Sequence, residues 1–270
     1  MNTFQFSPEQ IEQFHTQGYV AIPDFWSVEE VRAMQIELER MKSDGLLRNV
    51  ATDGDGVTKS KEKANLQLCP MAPHSKLFRA MPFAEKAVAA VSQLIGDPVL
   101  LHLDQVFLKP GMHGSGTNWH QDNAYFQIPN PLHGTAIWTA VHDANAANGT
   151  MRIVPNAFRE NLPHERDPES SHHIRCWPDE SKAVTVELPA GGALFFCYGT
   201  PHATGANTTD KERAGVALHF LNADQDGQAR EGFEVGKRPI LSGPNAQGGR
   251  EVYDETVAGT WDDEVARVLR

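Results

Sequence analysis

Cysteine is scarce: Cys69, Cys176 and Cys197 are the only thiols in 270 residues, odd in number and far apart. That excludes a disulfide-stapled scaffold and fits reduced thiols, so a cytoplasmic location is expected. Long apolar runs are missing as well. Stretches such as Ala193 to Cys197 fall far short of the ~20 residues that cross a bilayer. Met1 to Glu12 has neither a basic start nor an apolar segment, so no secretory signal is expected. Basic residues are in deficit, with 24 Lys+Arg against 35 Asp+Glu and a formal net charge of −11. The densest basic cluster, Lys59-Ser60-Lys61-Glu62-Lys63, reads as a solvated loop. Such a surface repels nucleic acid and anionic membrane, and neither is expected as a partner.

What remains is an ordinary globular composition, 40% hydrophobic and 22% charged, on a chain long enough for a sizeable core. Ser7, Pro8 and Gln10 read as the N-cap, first turn and capping box of a helix that Gly18 stops. Tyr19 to Pro23 then reads as a strand. A second helix starts near Ser27, with Val31, Met34, Leu38 and Met41 on one face, and ends at Gly45. Pro82 to Ile95 reads as a third, ended by Gly96.

Beyond Gly96 short β-type runs alternate with turn clusters: Val99 to Lys109, Ala136 to His142, Thr150 to Val154, Ala183 to Leu188, Ala193 to Phe196 and Gly215 to Leu221. Many short strands with Gly, Pro and Asn turns predict a sandwich or jelly roll. The organisation expected is one domain over 1–270. Residues 1–95 form a helical part packed on a core at 96–225, and 226–270 form an extension with a helix at Asp262 to Leu269. The loop Asp53 to Lys63 and the long polar segment Asn156 to Lys182 are expected to be mobile and to shield a site.

Three side chains can carry chemistry together. His120 and Asp122 form a His-x-Asp at the end of a strand, where period-two alternation would put both on one face. A third ligand must come from elsewhere, and His202, after another strand, offers it. Two His and one carboxylate on one face of an octahedral ion leave three positions open, the facial triad of non-haem iron oxygenases. Arg213, on the next strand, could pair bidentately with a ligand carboxylate, and Thr204 could add a hydroxyl. Asn118, Trp119, Tyr125 and Tyr198 flank these residues and are substrate-pocket candidates. A rival metal cluster, His172-His173 with Cys176, lacks a second Cys or His pair at finger spacing and reads as polar loop.

Trp119-His120-Gln121-Asp122, Asn148-Gly149-Thr150-Met151-Arg152-Ile153-Val154-Pro155, Gly192-Ala193-Leu194-Phe195-Phe196, His202 and Arg213 together resemble the phytanoyl-CoA dioxygenase family, a branch of the iron(II)/2-oxoglutarate oxygenases. Gln10 to Met41 is similar to that family's leading helix-strand-helix, and the likeness runs over residues 7 to 225. One departure is visible: Asn156-Ala157-Phe158 follows Pro155 where relatives often have Gly-Ser-His.

The resemblance implies a double-stranded β-helix, a cupin-like jelly roll. It implies Fe(II) on His120, Asp122 and His202, with 2-oxoglutarate and O₂ as cosubstrates. Arg213 and Thr204 would hold the far carboxylate of 2-oxoglutarate, and Gln105 and Trp138 would line its pocket. The implied reaction is hydroxylation of an unactivated C–H bond with release of succinate and CO₂. Asp122 favours this over halogenation, for which a small apolar residue there would open a halide position. The charge balance points to a small polar metabolite rather than an acyl-CoA. Alternatives are the same site used for desaturation or ring formation, and a cupin-like binding protein without turnover.

Overall fold

The computed structural model describes residues 4–224, 238–244, 246, 251–252 and 255–270. Its N-terminal part runs α1 (Pro8–Gln17), β1 (Tyr19–Ile22), α2 (Val28–Ser43), β2 (Arg48–Asn49), β3 (Leu66–Leu68), α3 (Lys76–Ala80) and α4 (Glu85–Ile95). Then come β4 (Val99–Lys109), β5 (Thr117–His120), α5 (Asn123–Phe126), β6 (Gly134–Ala140), β7 (Met151–Ile153), β8 (Glu165–Arg166) and β9 (Ile174–Arg175). The chain continues through β10 (Val184–Val186), β11 (Ala193–Cys197), β12 (His202–Thr204), β13 (Arg213–Asn222), β14 (Glu251–Val252), β15 (Glu255–Thr256) and α6 (Trp261–Leu269).

Local chemistry sets the helices. Ser7 and Ser27 both cap through reciprocal capping boxes, with Gln10 and Glu30 as the returning side chains, so two orphan donors are satisfied at each start. Gly18 closes α1 in the left-handed region at φ 84°, which costs glycine little. The third helix begins later than expected, because Met81–Phe83 forms a tight 3₁₀ turn around Pro82 before α4.

Two antiparallel sheets form the jelly roll. The larger has strand order β1-β11-β6-β13-β4-β3-β2 and the smaller β10-β7-β12-β5. The first 95 residues therefore supply three strands to the large sheet besides their helices.

Alternation divides the large sheet into two faces. Ala214, Val216, Leu218 and Phe220 of β13, with Val106 and Leu108 of β4, join Phe14, Met34, Leu38 and Val91 in the core under the helices. The opposite face presents Gly215, Ala217 and His219 of β13 and Gln105, Phe107 and Lys109 of β4. Between the sheets Trp138, Met151, Ile153, Leu194 and Phe196 form a second, smaller core. The space that this core leaves is the site. All three cysteines are free. Among the described residues no helix is long and apolar enough to cross a membrane.

Candidate metal centre and anion pocket

His120 ends β5 and His202 starts β12, and the two are direct cross-strand partners. Their ring centroids lie 4.1 Å apart. Asp122 arrives differently from the sequence expectation. β5 stops at His120, and Asp122 has helical dihedrals (φ −59°, ψ −33°) as the residue leading into α5. A turn, not strand alternation, brings the carboxylate to the imidazoles. Gln121 anchors that turn: its amide donates to Glu160 O at 2.7 Å and Gly199 O at 2.6 Å.

Both histidines are oriented by backbone. Nδ1 of His120 lies 2.9 Å from Asn118 O, and Nδ1 of His202 lies 2.9 Å from Thr200 O. A carbonyl can only accept, so each Nδ1 carries the proton and each Nε2 keeps its lone pair. Those two Nε2 atoms stand 3.9 and 3.7 Å from Asp122 Oδ1. One atom from each residue lies within 4.8 Å of the others, and this is the one such group of three among the described residues. Three lone-pair atoms thus converge with no proton between them, an arrangement that a cation resolves.

Burial pushes the His120 imidazole down to about 3, with His202 adding to the shift, so the ring is neutral at pH 7. Burial alone would raise the Asp122 carboxyl; the His202 and His219 rings outweigh it and hold it low. Nε2 of His219, on β13, stands 3.3 Å from Asp122 Oδ2. Nothing in the sequence pattern singled out His219, because it reads as one more polar residue in an apolar strand.

Beside this group opens a cavity of about 350 Å³. At its inner end sit two buried cations. Arg213 and Lys109 are each 1% exposed and are register partners on β13 and β4. Like charges directly opposite one another destabilise a sheet, and no carboxylate pairs with either among the described residues. Burial lowers Arg213 to about 10, and burial with Arg213 beside it pulls Lys109 well below its ordinary value.

The Arg213 guanidinium reaches the Asn148 carbonyl, Nε to O at 3.4 Å, and the Gly149 carbonyl. It lies 5.6 Å from the centroid of the Trp138 ring. Gly149, at φ 76°, packs where a Cβ would strike the Gly205 carbonyl, which is why the Asn-Gly pair can deliver both carbonyls there. Thr204 Oγ1 accepts from Lys109 Nζ at 2.6 Å and from Thr117 N at 2.9 Å. With its acceptor sites used, its own proton is left to donate. Two cations and a hydroxyl donor facing one cavity suit a carboxylate ligand. Lys109 escaped the sequence reading because a Lys ending a strand reads as solvated.

The other candidates separate cleanly. Trp138, Gln105 and Tyr125 line the cavity. Tyr198 does not: it is fully buried behind the wall, its hydroxyl 3.1 Å from His102 Nδ1. Asn118 turns away and donates to Asp167 at 3.0 Å. Trp119 packs in a separate cluster with Cys176, so Cys176 is parted from His172 and His173, which face the cavity.

A jelly roll with such a converging donor set defines a class, the proteins that can hold one metal ion beside an anionic ligand. Sequence comparison gives the family. The phytanoyl-CoA dioxygenase (PhyH) family matches residues 14–215, and the chain belongs to it. Among similar curated proteins, ectoine dioxygenase of Halomonas elongata is 25% identical over 254 residues, covering 86% of this chain and 74% of that protein. Phytanoyl-CoA dioxygenase of Arabidopsis thaliana is 22% identical over 259 residues, covering 82% and 91%. Among solved structures, the non-haem alpha ketoglutarate dependent carbocyclase SnoK superposes with a TM-score of 0.69 at 21% identity, covering 81% of this chain and 85% of that one. EctD from S. alaskensis with bound Fe gives 0.66 at 19% identity, covering 95% and 89%.

Proposed function

We propose that this protein is an iron(II)/2-oxoglutarate-dependent dioxygenase that hydroxylates an unactivated C–H bond of a small polar metabolite. The observation that carries the reading is the pair of buried, carboxylate-free cations, Lys109 and Arg213, facing the same cavity as His120, Asp122 and His202. A metal site alone would serve many chemistries. A metal site beside a built anion pocket suits a chelating ligand with a second, distal carboxylate.

The donor set fits iron(II): two neutral imidazoles and one carboxylate on one side, with the cavity on the other. When bound, iron supplies the oxidising chemistry in which 2-oxoglutarate and O₂ yield succinate and CO₂, one oxygen atom going to succinate and one to the substrate C–H. The chain's own residues do the rest. His120 and His202 present Nε2 because Asn118 and Thr200 carbonyls hold their Nδ1 protons. Arg213, Lys109 and Thr204 orient the distal carboxylate. Trp138 and Gln105 wall the cosubstrate, and the apolar lining around them excludes water.

The relatives named above include enzymes described as acting on ectoine, a small polar metabolite, and a substrate of that class suits the cavity volume. The test is stoichiometric. Purified, iron-loaded protein should release succinate and CO₂ in equal amounts from 2-oxoglutarate, only with O₂, faster when the correct metabolite is added. Iron and 2-oxoglutarate bound without any succinate would establish the cupin-like binding protein instead. Succinate formed with a product lacking added oxygen would establish desaturation or ring formation.

A further inference from the structure

We propose that the outer half of the cavity selects a monocarboxylate metabolite that also carries a hydrogen-bond donor, docked on Arg48 with the Gln67–Gln105 amide pair. This deepens the reading above and rests on it, since Lys109 and Arg213 are there assigned to the cosubstrate.

The charge balance around the cavity is the first observation. The whole chain has 24 cationic against 35 acidic residues. Among the described residues the cavity lining reverses this: its cations are Arg48, Lys109 and Arg213, and its one acid is Asp122. With Lys109 and Arg213 placed on 2-oxoglutarate and Asp122 on the metal, Arg48 is left over. Its guanidinium makes no hydrogen bond or ion pair among the described residues. Arg166, close by, differs: its guanidinium is occupied by the carbonyls of His173, Gly56 and Ser171. A cation in a cleft of opposite sign to the molecule around it attracts and orients an anion.

The second observation is an unsatisfied amide. Arg48 on β2 is the register partner of Gln67 on β3, and Gln67 of Phe107 on β4. Direct partners share a face, so Arg48, Gln67 and Phe107 form a row into the cavity, with Gln105 two residues along β4. Gln67 Nε2 donates to Gln105 Oε1 at 2.9 Å. Gln67 is 2% exposed, and its Oε1 has no hydrogen-bond partner. An orphaned acceptor of that burial costs free energy unless a ligand supplies a donor. Gln105 keeps its NH₂ for a second contact. Were both amides turned over, the pair would still offer one free acceptor and one free donor.

Together the row offers one cationic fork, one acceptor and one neutral donor. Phe107 in the row, with Tyr125 and Phe126, adds aromatic lining. One cation matches one carboxylate. It does not match the several phosphate charges of a CoA thioester. The acceptor on Gln67 asks for an N–H or O–H on the same molecule, as in an amino or hydroxy acid.

The test uses the iron(II)- and 2-oxoglutarate-loaded protein without O₂, so that binding is read without turnover. Calorimetric and thermal-shift titrations compare small carboxylic acids with their primary amides, and 2-amino acids with their deamino counterparts. The expected result is that carboxylates bind about tenfold or more tighter than their amides, as a charge-assisted fork provides, and that amino acids bind tighter than deamino acids. In Arg48→Gln the acid-over-amide preference should collapse to within about threefold, and Arg48→Lys should restore part of it. Selective binding of amides or amines, a silent panel, or an unchanged preference in Arg48→Gln would overturn the proposal. Failure of the wild type to bind 2-oxoglutarate in the same titrations would instead overturn the cosubstrate reading beneath it.

Discussion

His120 and His202 both turn Nε2 toward Asp122 Oδ1, so the three residues form one donor set. Removing either imidazole removes one of three ligands and should abolish iron retention and turnover; His120→Ala and His202→Ala are each expected to bind less than a tenth of wild-type iron by metal analysis. If either variant kept full iron and activity, that residue is no ligand. Arg213 tests the cosubstrate. Deleting a buried partner of a carboxylate costs on the order of 2–5 kcal/mol, which at ~1.4 kcal/mol per tenfold is roughly 30- to several thousand-fold in affinity. Arg213→Ala should therefore lose 2-oxoglutarate affinity on that scale and lose preference for it over pyruvate, while iron binding survives. Arg213→Lys should also be impaired, since an ammonium cannot make the fork. The residual affinity in Arg213→Ala should fall further on adding Lys109→Met, because the two cations face one carboxylate. Wild-type 2-oxoglutarate binding in Arg213→Ala would remove the pocket from Arg213 altogether.

Much of this architecture was legible in strand alternation and helix caps, because those depend on neighbours in sequence. The capping box at Ser7, the helix start near Ser27 and the apolar beat of β13 depend on nothing distant. The edge strand β2 and its neighbour β3 are two and three residues long, too short for a period, and they carry Arg48 and Gln67. Lys109, His219 and Gln67 were illegible for a related reason: each gains its role only from a partner on another strand. Tyr198 misled because adjacency to a metal-ligand strand in sequence put it behind the wall.

The two loops expected to move are joined in the structure. Thr52 N donates to Glu169 O at 3.0 Å, Gly56 N to Pro168 O at 2.7 Å and Ser171 N to Val50 O at 2.9 Å. Arg48 just precedes the first segment, His172 and His173 lie in the second, and all three line the cavity. Segments 53–63 and 156–182 should therefore gain protection together on substrate binding. Hydrogen exchange with and without substrate reads this directly, and protection gained in one without the other would break the coupling.

Across the whole molecule, the C-terminal helix returns to the N-terminal helical layer, on the far side of the large sheet from the metal group. Helix α6 packs on α2 and α3. Trp261 is 4% exposed, its ring centroid 5.4 Å from that of Trp26. Its indole Nε1 donates to Glu30 Oε1 at 2.6 Å. Glu30 is also the capping-box residue of α2, and Lys86 of α4 pairs with its other oxygen. One buried carboxylate thus ties α2, α4 and α6 together on the helical face of the large sheet. Trp261→Ala removes a large buried ring, which costs about 3–5 kcal/mol, and strips a donor from Glu30. For a chain of this size ~1 kcal/mol lowers Tm by roughly 2–4 °C, so a fall on the order of 6–20 °C is expected. Trp261→Phe keeps most of the packing and loses the hydrogen bond to a charged group, worth about 1.5–3 kcal/mol, so it should fall in between. Iron and 2-oxoglutarate affinities of the folded variants at low temperature should stay at wild-type values, because α6 packs on α2 and α3, across the large sheet from the metal ligands. Thermal melts beside anaerobic binding titrations separate the outcomes. A variant that melts like wild type would show that α6 adds nothing to the core, and one that loses ligand affinity while folded would show that the helical layer sets the geometry of the sheet beneath it.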